Sequence, residues 1–312
     1  MNFHWTLQQL RLFEAVARSR SYTQAAAELH LTQPAVHIQV KRLEEIVGLP
    51  LIQKSGKKLV LTRAGEEVYA VTIDVLHRMQ QLACTISDMK GHVAGPLKIA
   101  AVTSAKFFMP HLLGRFLTLY PDVQPQLKVT NRARTVERLF ESLDDLVVIG
   151  EVPRKPELAV HPFMENLLVM AAHPGHPLVG RTNLTAADLA HERFLLREPG
   201  SGTRAAVETW FRDREVQITP GMELGSSEAI KQAIIANLGI SIVPLSSLEL
   251  ELETHRIKLL DVQGFPLRRM WHAVHLGDLQ LGLTARVFLD FLIQEGRINL
   301  AANPGIPNEV DG

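Results

Sequence analysis

A chain of 312 residues, 46% hydrophobic and 21% charged, is too long for one small core and has the composition of a soluble, globular protein of two or three domains. No run of about 18 uncharged apolar residues crosses it, the start MNFHWTLQQLRLFEAV lacks a secretory signal pattern, and the single cysteine, Cys84, cannot form an internal disulfide. These features point to a cytoplasmic protein with no membrane association. The 33 Lys/Arg and 33 Asp/Glu cancel overall, but residues 1–65 hold nine basic against four acidic residues (+5) and the remainder 24 against 29 (−5). A small basic module joined to a larger acidic one suggests that the first touches a polyanion.

In chain order, Leu7, Leu10, Phe13 and Val16 carry the three-to-four spacing of an amphipathic helix that ends near RSRS at 18–21. Ser21 N-caps a second short helix, Tyr22 to Leu29, whose three alanines permit close approach. After His30-Leu31, Thr32 caps a third helix with Gln33 at N1 and Pro34 at N2, so the proline marks a helix start. Its apolar positions Ala35, Ile38, Val40, Leu43 and Ile46 recur as one buried side. Two short helices joined by a tight turn form a helix-turn-helix, whose second helix enters the major groove of double-stranded DNA. Gln33 and His37, four apart, are placed to reach base edges, Thr32 to meet a phosphate, and Lys41 and Arg42 to extend the basic side. The run LPLIQKSGKKLVLT at 49–62 reads as a β-hairpin wing with Lys54, Lys57 and Lys58 around Gly56, suited to phosphates or a minor-groove edge; a solvated basic hairpin is the alternative.

From Ala64 a long helix runs toward Lys90. Val75, Met79, Leu82, Ile86 and Met89 are spaced 4, 3, 4, 3, a heptad seam. The seam fits a dimerising linker that sets two half-sites apart on DNA, with packing on the chain's own domain as the alternative.

The stretch LQQLRLFEAVARSRSYTQAAAELHLTQPAVHIQVKRLEEIVGLPLIQKSGKKLVLTRAGE resembles the N-terminal domain of LysR-type transcriptional regulators, in the FxxVxxxxSxTxAAxxLxxxQPAVxxQxxxLE pattern and the closing LTxAG. Within the family it is similar to the regulators of carbon-dioxide-fixation (Calvin cycle, CbbR/RbcR-like) operons, through QPAVHIQVKRLEE, GLPLIQKSGKKLVLTRAG, the NR at 131–132, DLVVIGEVP at 145–153 and REPGSGTR at 197–204. Two residues depart from the family pattern: His37 replaces a small hydroxyl residue and Ile52 a phenylalanine.

Beyond a Gly/Pro-rich hinge at 91–96, short apolar runs alternate with helices. They are LKIAAV (97–102), a helix from Thr103/Ser104, QLKV (126–129), a helix from Thr135 and LVVIG (146–150). The alternation continues with LLVMAA (167–172), FLLRE (194–198), helices over 201–214 and 227–237, ISIVP (240–244), the strand RRMWHAVHL (268–276) and a helix at 281–295. It predicts an α/β unit with a mostly parallel sheet. The resemblance implies a two-lobed, periplasmic-binding-protein-like effector domain with crossings near 161–166 and 262–268. The resulting division is a winged helix-turn-helix at 1–63, a linker helix at 64–92 and an effector domain at 93–312. Lobe I covers about 93–163 and 266–300, and lobe II about 164–265.

A ligand in such folds sits at strand C-termini and helix N-termini. Thr103 and Ser104 follow the first strand, with plain N-capping as the alternative reading. In REPGSGTR, Arg197, Ser201, Gly202, Thr203 and Arg204 are the parts of an anion site, or else of a capped loop with surface arginines. Asn131, Arg132 and Arg134 could add positive charge, or be solvated. The resemblance adds Ser226, which precedes a helix facing the cleft in family members.

No GxGxxG, P-loop or G-x-S-x-G occurs, prolines bracket the histidines of HPGHP (173–177), and no base motif flanks Cys84, so neither an enzyme nor a cofactor or metal site is expected. The resemblance implies a transcription activator or repressor that binds operator dyad half-sites and a small anionic metabolite. It also implies self-association as a dimer of dimers and contact with RNA polymerase. The alternative target is another metabolic operon answering to a carboxylate.

Overall fold

The computed structural model describes residues 4–55, 58–278 and 280–302. The chain forms two compact units, divided after Ile86.

The first unit contains α1 (Leu7–Ser19), α2 (Tyr22–Glu28), α3 (Gln33–Val47), β1 (Ile52–Ser55), β2 (Lys58–Leu61) and most of α4 (Arg63–Lys90). Each short helix opens on a side chain that accepts one of its free N–H groups. Thr6 forms a reciprocal capping box with Gln9, Ser21 accepts from Gln24 and Thr32 from Ala35. Pro34 lies in the first turn of α3 as expected, and Gly48 ends that helix at φ 77°. The core gathers Phe13, Val16, Ala25, Val36, Val40, Leu43 and Leu51.

The buried side of α3 differs from the expected one. Val36, Val40, Leu43 and Glu44 are buried, Ala35 and Ile46 are partly exposed, and Ile38 is 51% exposed. Two apolar stripes on this helix satisfy the helical period, and packing against both α1 and α2 selects the one through 36, 40 and 43.

Glu44 is the polar group that this packing requires. Its Oε1 accepts from the N–H groups of Leu51 (2.8 Å) and Ile52 (3.1 Å), and its Oε2 accepts from Lys41 Nζ. Burial alone would raise its pKa, but the hydrogen bond from Lys41 and those from the backbone of Ile52 and Leu51 hold the carboxyl below the usual range. The Glu44→Ala variant leaves two N–H groups without an acceptor and should lose about 2 kcal/mol of unit-one stability by urea unfolding. Because the folded carboxyl has the lower pKa, its contribution is present above the ordinary glutamate range and disappears as pH falls through the folded value. The wild-type advantage over Glu44→Gln should shrink in that acid window.

On α4, Val75 packs onto the unit-one core, whereas Met79, Leu82, Ile86 and Met89 are exposed. The expected seam is thus divided, with Val75 serving its own unit. The helix includes Cys84, whose side chain lies outside the described residues.

The second unit begins with β3 (Gly95–Val102), a 3-10 turn (Thr103–Phe107), α5 (Met109–Leu119), β4 (Val123–Thr130), α6 (Arg132–Phe140) and β5 (Leu146–Ile149). It continues with β6 (Leu158–Ala172), α7 (Ala186–Leu189), β7 (Arg193–Arg197), α8 (Gly202–Arg212), β8 (Thr219–Leu224) and α9 (Ser227–Ile235). It ends with β9 (Ser241–Pro244), a 3-10 turn (Leu245–Ser247), α10 (Glu249–Glu253), β10 (Lys258–Leu259), β11 (Leu267–Leu276) and α11 (Leu283–Ala302). One sheet has the order β10-β6-β11-β5-β3-β4 with β9 also on β6, and β7 pairs with β8.

The sheet is mixed rather than mostly parallel. The pairs β3–β4, β3–β5 and β7–β8 are parallel, while β6 and β11 run antiparallel to each other and to β5, β9 and β10 where they meet them. The cause is the pair of strands that leave one lobe and return to it. β6 is a single 15-residue strand, joining the expected crossing at 161–166 to the strand at 167–172. It supplies Phe163 to the first-lobe core with Ile99, Phe116, Trp271 and Phe288, and Leu168 and Met170 to the second-lobe core with Phe194 and Phe211.

Three helix boundaries also shift. A 3-10 turn separates β3 from α5, α6 starts at Arg132 rather than Thr135, and α11 continues past 295 to Ala302.

Candidate functional sites

The outward side of α3 presents Gln33, Pro34, His37, Ile38, Lys41 and Arg42, all exposed, and Thr32 is exposed just before it. Two of these are restrained. His37 meets the Tyr22 ring edge-on at 4.9 Å between centroids, and Lys41 Nζ is ion-paired with Glu44 at 2.6 Å. Burial, reinforced by the Glu44 charge, pushes the Tyr22 phenol up to about 12, so it faces His37 as a neutral ring. In the hairpin of β1 and β2, Lys54 is exposed. Gly56, Lys57 and the Lys58 side chain lie outside the described residues.

In the second unit the C-terminal ends of β3, β5 and β7 and the N-terminal ends of α6 and α8 surround one cleft. Its walls include Thr103, Ser104, Arg132, Glu151, Asn166, Arg197, Glu198, Ser201, Gly202, Thr203, Arg269 and Trp271, and it holds about 430 Å³ open to solvent. Ser201 is the N-cap of α8 but its side chain makes no capping bond, which leaves the first N–H groups of an 11-residue helix facing the cleft.

The three arginines of this cleft differ in how they are held. Arg197 is bound twice to Glu198 (2.7 and 2.8 Å), and donates to Ser227 Oγ and Thr103 Oγ1, both at 3.0 Å. Its charge is matched and its side chain ties β7 to the turn after β3. Arg132 is half-exposed; it donates to the Glu151 carbonyl at 3.3 Å, and its guanidinium stands 3.9 Å from the Glu151 carboxylate. Arg269 donates to the Gly202 carbonyl at 2.8 Å, and no carboxylate lies within ion-pair distance of it among the described residues. Burial draws its pKa below the ordinary arginine value, with Glu151 opposing and Arg132 adding to that shift. Beside it Asn166 Oδ1 and Trp271 Nε1 are buried without a partner. A Cβ on Gly150 would stand 3.1 Å from Asn166 Nδ2, so glycine there lets β5 approach the amide.

Thr103, Ser104, Arg132, Arg197, Ser201, Gly202 and Thr203 therefore come together as the sequence suggested. Four others do not line the cleft. Asn131 caps α6 by accepting from Arg134 N–H. Arg204 turns away to Glu208 and Glu223, because its place on α8 faces those carboxylates. Ser226 caps α9 by accepting from Ala229, and its neighbour Ser227 makes the contact with Arg197. Arg134 is paired with Glu137. Sequence reasoning missed Glu151, Asn166, Glu198, Arg269 and Trp271. Arg269 and Asn166 lie in strands whose facing residues depend on register, Arg269 standing opposite Asn166 across β11 and β6. His173 and His176 sit in the turn after β6, each accepting a backbone N–H through Nδ1.

A winged helix-turn-helix in one unit and a two-lobed α/β unit with a polar cleft in the other define a ligand-responsive, DNA-binding regulator of transcription. The chain belongs to the LysR family: the lysR-family bacterial regulatory helix-turn-helix matches residues 7–66 and the LysR substrate binding domain matches residues 90–297. It is 43% identical over 292 residues to the RuBisCO operon transcriptional regulator of Allochromatium vinosum, covering 94% of this chain and 97% of that one. It is 41% identical over 287 residues to the transcriptional activator CmpR of Synechocystis sp. PCC 6803, covering 92% of this chain and 94% of that protein. Among solved structures, the regulatory domain of Synechocystis PCC 6803 CcmR in complex with 2-PG matches with a TM-score of 0.63 at 39% identity, covering 65% of this chain and 98% of that one.

Proposed function

We propose that this regulator controls carbon-dioxide-fixation genes and that a small phosphate-bearing or dicarboxylate metabolite in the second-unit cleft sets its activity. The observation that carries the ligand reading is Arg269, a partly buried cation without a carboxylate partner among the described residues, beside Arg132 and the uncapped start of α8. A dianion there would gain charge-assisted hydrogen bonds from both guanidinium groups and the α8 N–H groups. The relatives named for the RuBisCO operon and the 2-PG complex of CcmR support the target and the ligand class.

On the DNA side, Thr32, Gln33, Pro34, His37, Lys41 and Arg42 of the α3 tip, with Lys54, Lys57 and Lys58 of the wing, meet one half-site of an operator dyad. The domains divide at about 63 and 92, and the exposed Met79, Leu82 and Ile86 of α4 pair with a second copy. Two such dimers form the tetramer, which works in the cytoplasm with RNA polymerase and performs no catalysis of its own.

Calorimetry with the full-length chain tests the ligand reading, using 2-phosphoglycolate, inorganic phosphate and a dicarboxylate as probes. Saturable binding of the organic dianion, with a changed footprint on an operator fragment, is expected. The absence of both heat and a footprint change with all three probes would refute it.

A further inference from the structure

The outward centre of α3 is apolar. Ile38 is two residues from both Val36 and Val40, each fully buried, and at about 100° per residue it points directly away from the core. It is 51% exposed, and Pro34, one turn earlier, is exposed on the same side. Gln33 and His37 lie toward α2, where His37 rests on the Tyr22 ring, while Lys41 is drawn to Glu44. Ile38 is therefore the exposed large apolar residue of α3, with Pro34 one turn before it and the exposed Arg42 one turn after it on the same side.

We propose that Ile38 is a specificity-determining residue that reads the C5-methyl group of a thymine in each half-site. The inference rests on α3 being the DNA-reading helix of this LysR-family chain. A second helix of this motif lies in the major groove, so its outward centre faces the groove floor. There the one apolar feature presented by any base pair is the thymine methyl. A branched aliphatic side chain has no hydrogen bond to offer a base edge, and burying a polar donor or acceptor beneath it would cost affinity. Thymine at the facing position is accordingly favoured over cytosine, whose N4 amino group would be covered without an acceptor. Pro34, four residues before Ile38, widens the same apolar strip and offers no N–H to compete for the base.

The test uses the full-length chain and an operator half-site selected by that chain from randomised duplexes. Each thymine of the half-site is replaced in turn by deoxyuridine, which removes only the methyl group. Wild type should lose about fourfold in affinity at one such position, the effect of a single buried methyl group. The Ile38→Ala variant should bind the unmodified site more weakly and no longer distinguish thymine from uracil there. Ile38→Val should keep part of the discrimination. Both variants should retain the wild-type salt dependence on random-sequence DNA, since no phosphate contact is removed.

Wild-type indifference to every thymine-to-uracil exchange would overturn the proposal, as would an Ile38→Ala variant that remains as sensitive as wild type. A wild-type chain that shows no salt-dependent binding to any duplex would instead overturn the assignment of α3 as the DNA-reading helix, and the proposal with it.

Discussion

The Arg269→Met variant of the full-length chain should bind 2-phosphoglycolate about a hundredfold more weakly than wild type by calorimetry, yet be no less stable without ligand. Both halves of this result follow from how the guanidinium is held. With ligand, Arg269 supplies a desolvated, charge-assisted contact, and truncating one partner of such a pair costs about 2–3 kcal/mol. Without ligand, the Arg269 guanidinium is partly buried, donates from Nη1 to the Gly202 carbonyl and has no carboxylate within ion-pair distance among the described residues. Replacing a partly desolvated charge that has no ion-pair partner by an apolar side chain of similar length is close to neutral. Thermal unfolding without ligand checks that half, and a melting temperature well below wild type would show that Arg269 is instead a structural cation. Arg197 should behave in the opposite way, since its four hydrogen bonds to Glu198, Ser227 and Thr103 are lost when it is truncated.

The largest expected loss of stability comes from one methyl group. In the Gly296→Ala variant the new Cβ would fall inside the van der Waals radius of the Phe163 carbonyl oxygen. Backbone faces backbone at this point, so no side-chain rotamer can relieve the overlap, and α11 must move away from β6. Overpacking of this kind costs about 3 kcal/mol or more, and the second-unit melting transition should fall by roughly 6–12 °C in calorimetric scans. DNA binding by the first unit should survive at temperatures where the second unit remains folded. A melting temperature within a degree of wild type would mean that the two elements are not in contact there.

Gly296 also illustrates which features could be read from residue order. A glycine after an apolar, periodic stretch is a reasonable stop signal, and the helix at 281–295 was expected to end there. The residue serves a tertiary purpose instead, and α11 runs on to Ala302. Local signals served well where the cause was local: Ser21, Thr32 and Pro34 mark the helix starts of the DNA-reading motif because caps act within three residues. They failed where the cause was packing. The apolar residues of α3 satisfied two stripes, and only contact with α1 and α2 decided that Val36, not Ile38, faces the core. In the cleft, the hydroxyls and glycines of REPGSGTR were legible because they sit at one helix start. Arg269 and Asn166 were not, since bringing them opposite each other requires the pairing register of two strands about a hundred residues apart. The roles of Arg197 and Arg204 were equally hidden, because the carboxylates that neutralise them, Glu198 and Glu223 among them, reveal no pairing by spacing alone.

The two lobes of the second unit share β6 and β11, whose ladder from Leu267↔Leu168 to Leu276↔Leu158 has one register shift, between Trp271 and His272. A hydrogen-bonded antiparallel ribbon resists sliding, because a slip of one residue would turn every side chain to the opposite face. It yields more readily in torsion, and a bulge is where that twist concentrates. Trp271 borders this point and Arg269 lies two residues before it, both lining the cleft. On the proposed ligand reading, an anion held by Arg269 would act close to this point, where a small rotation would be carried along both strands into both lobes. Torsion of a shared ribbon, rather than separation of two hinged jaws, is the movement that this connectivity allows most easily.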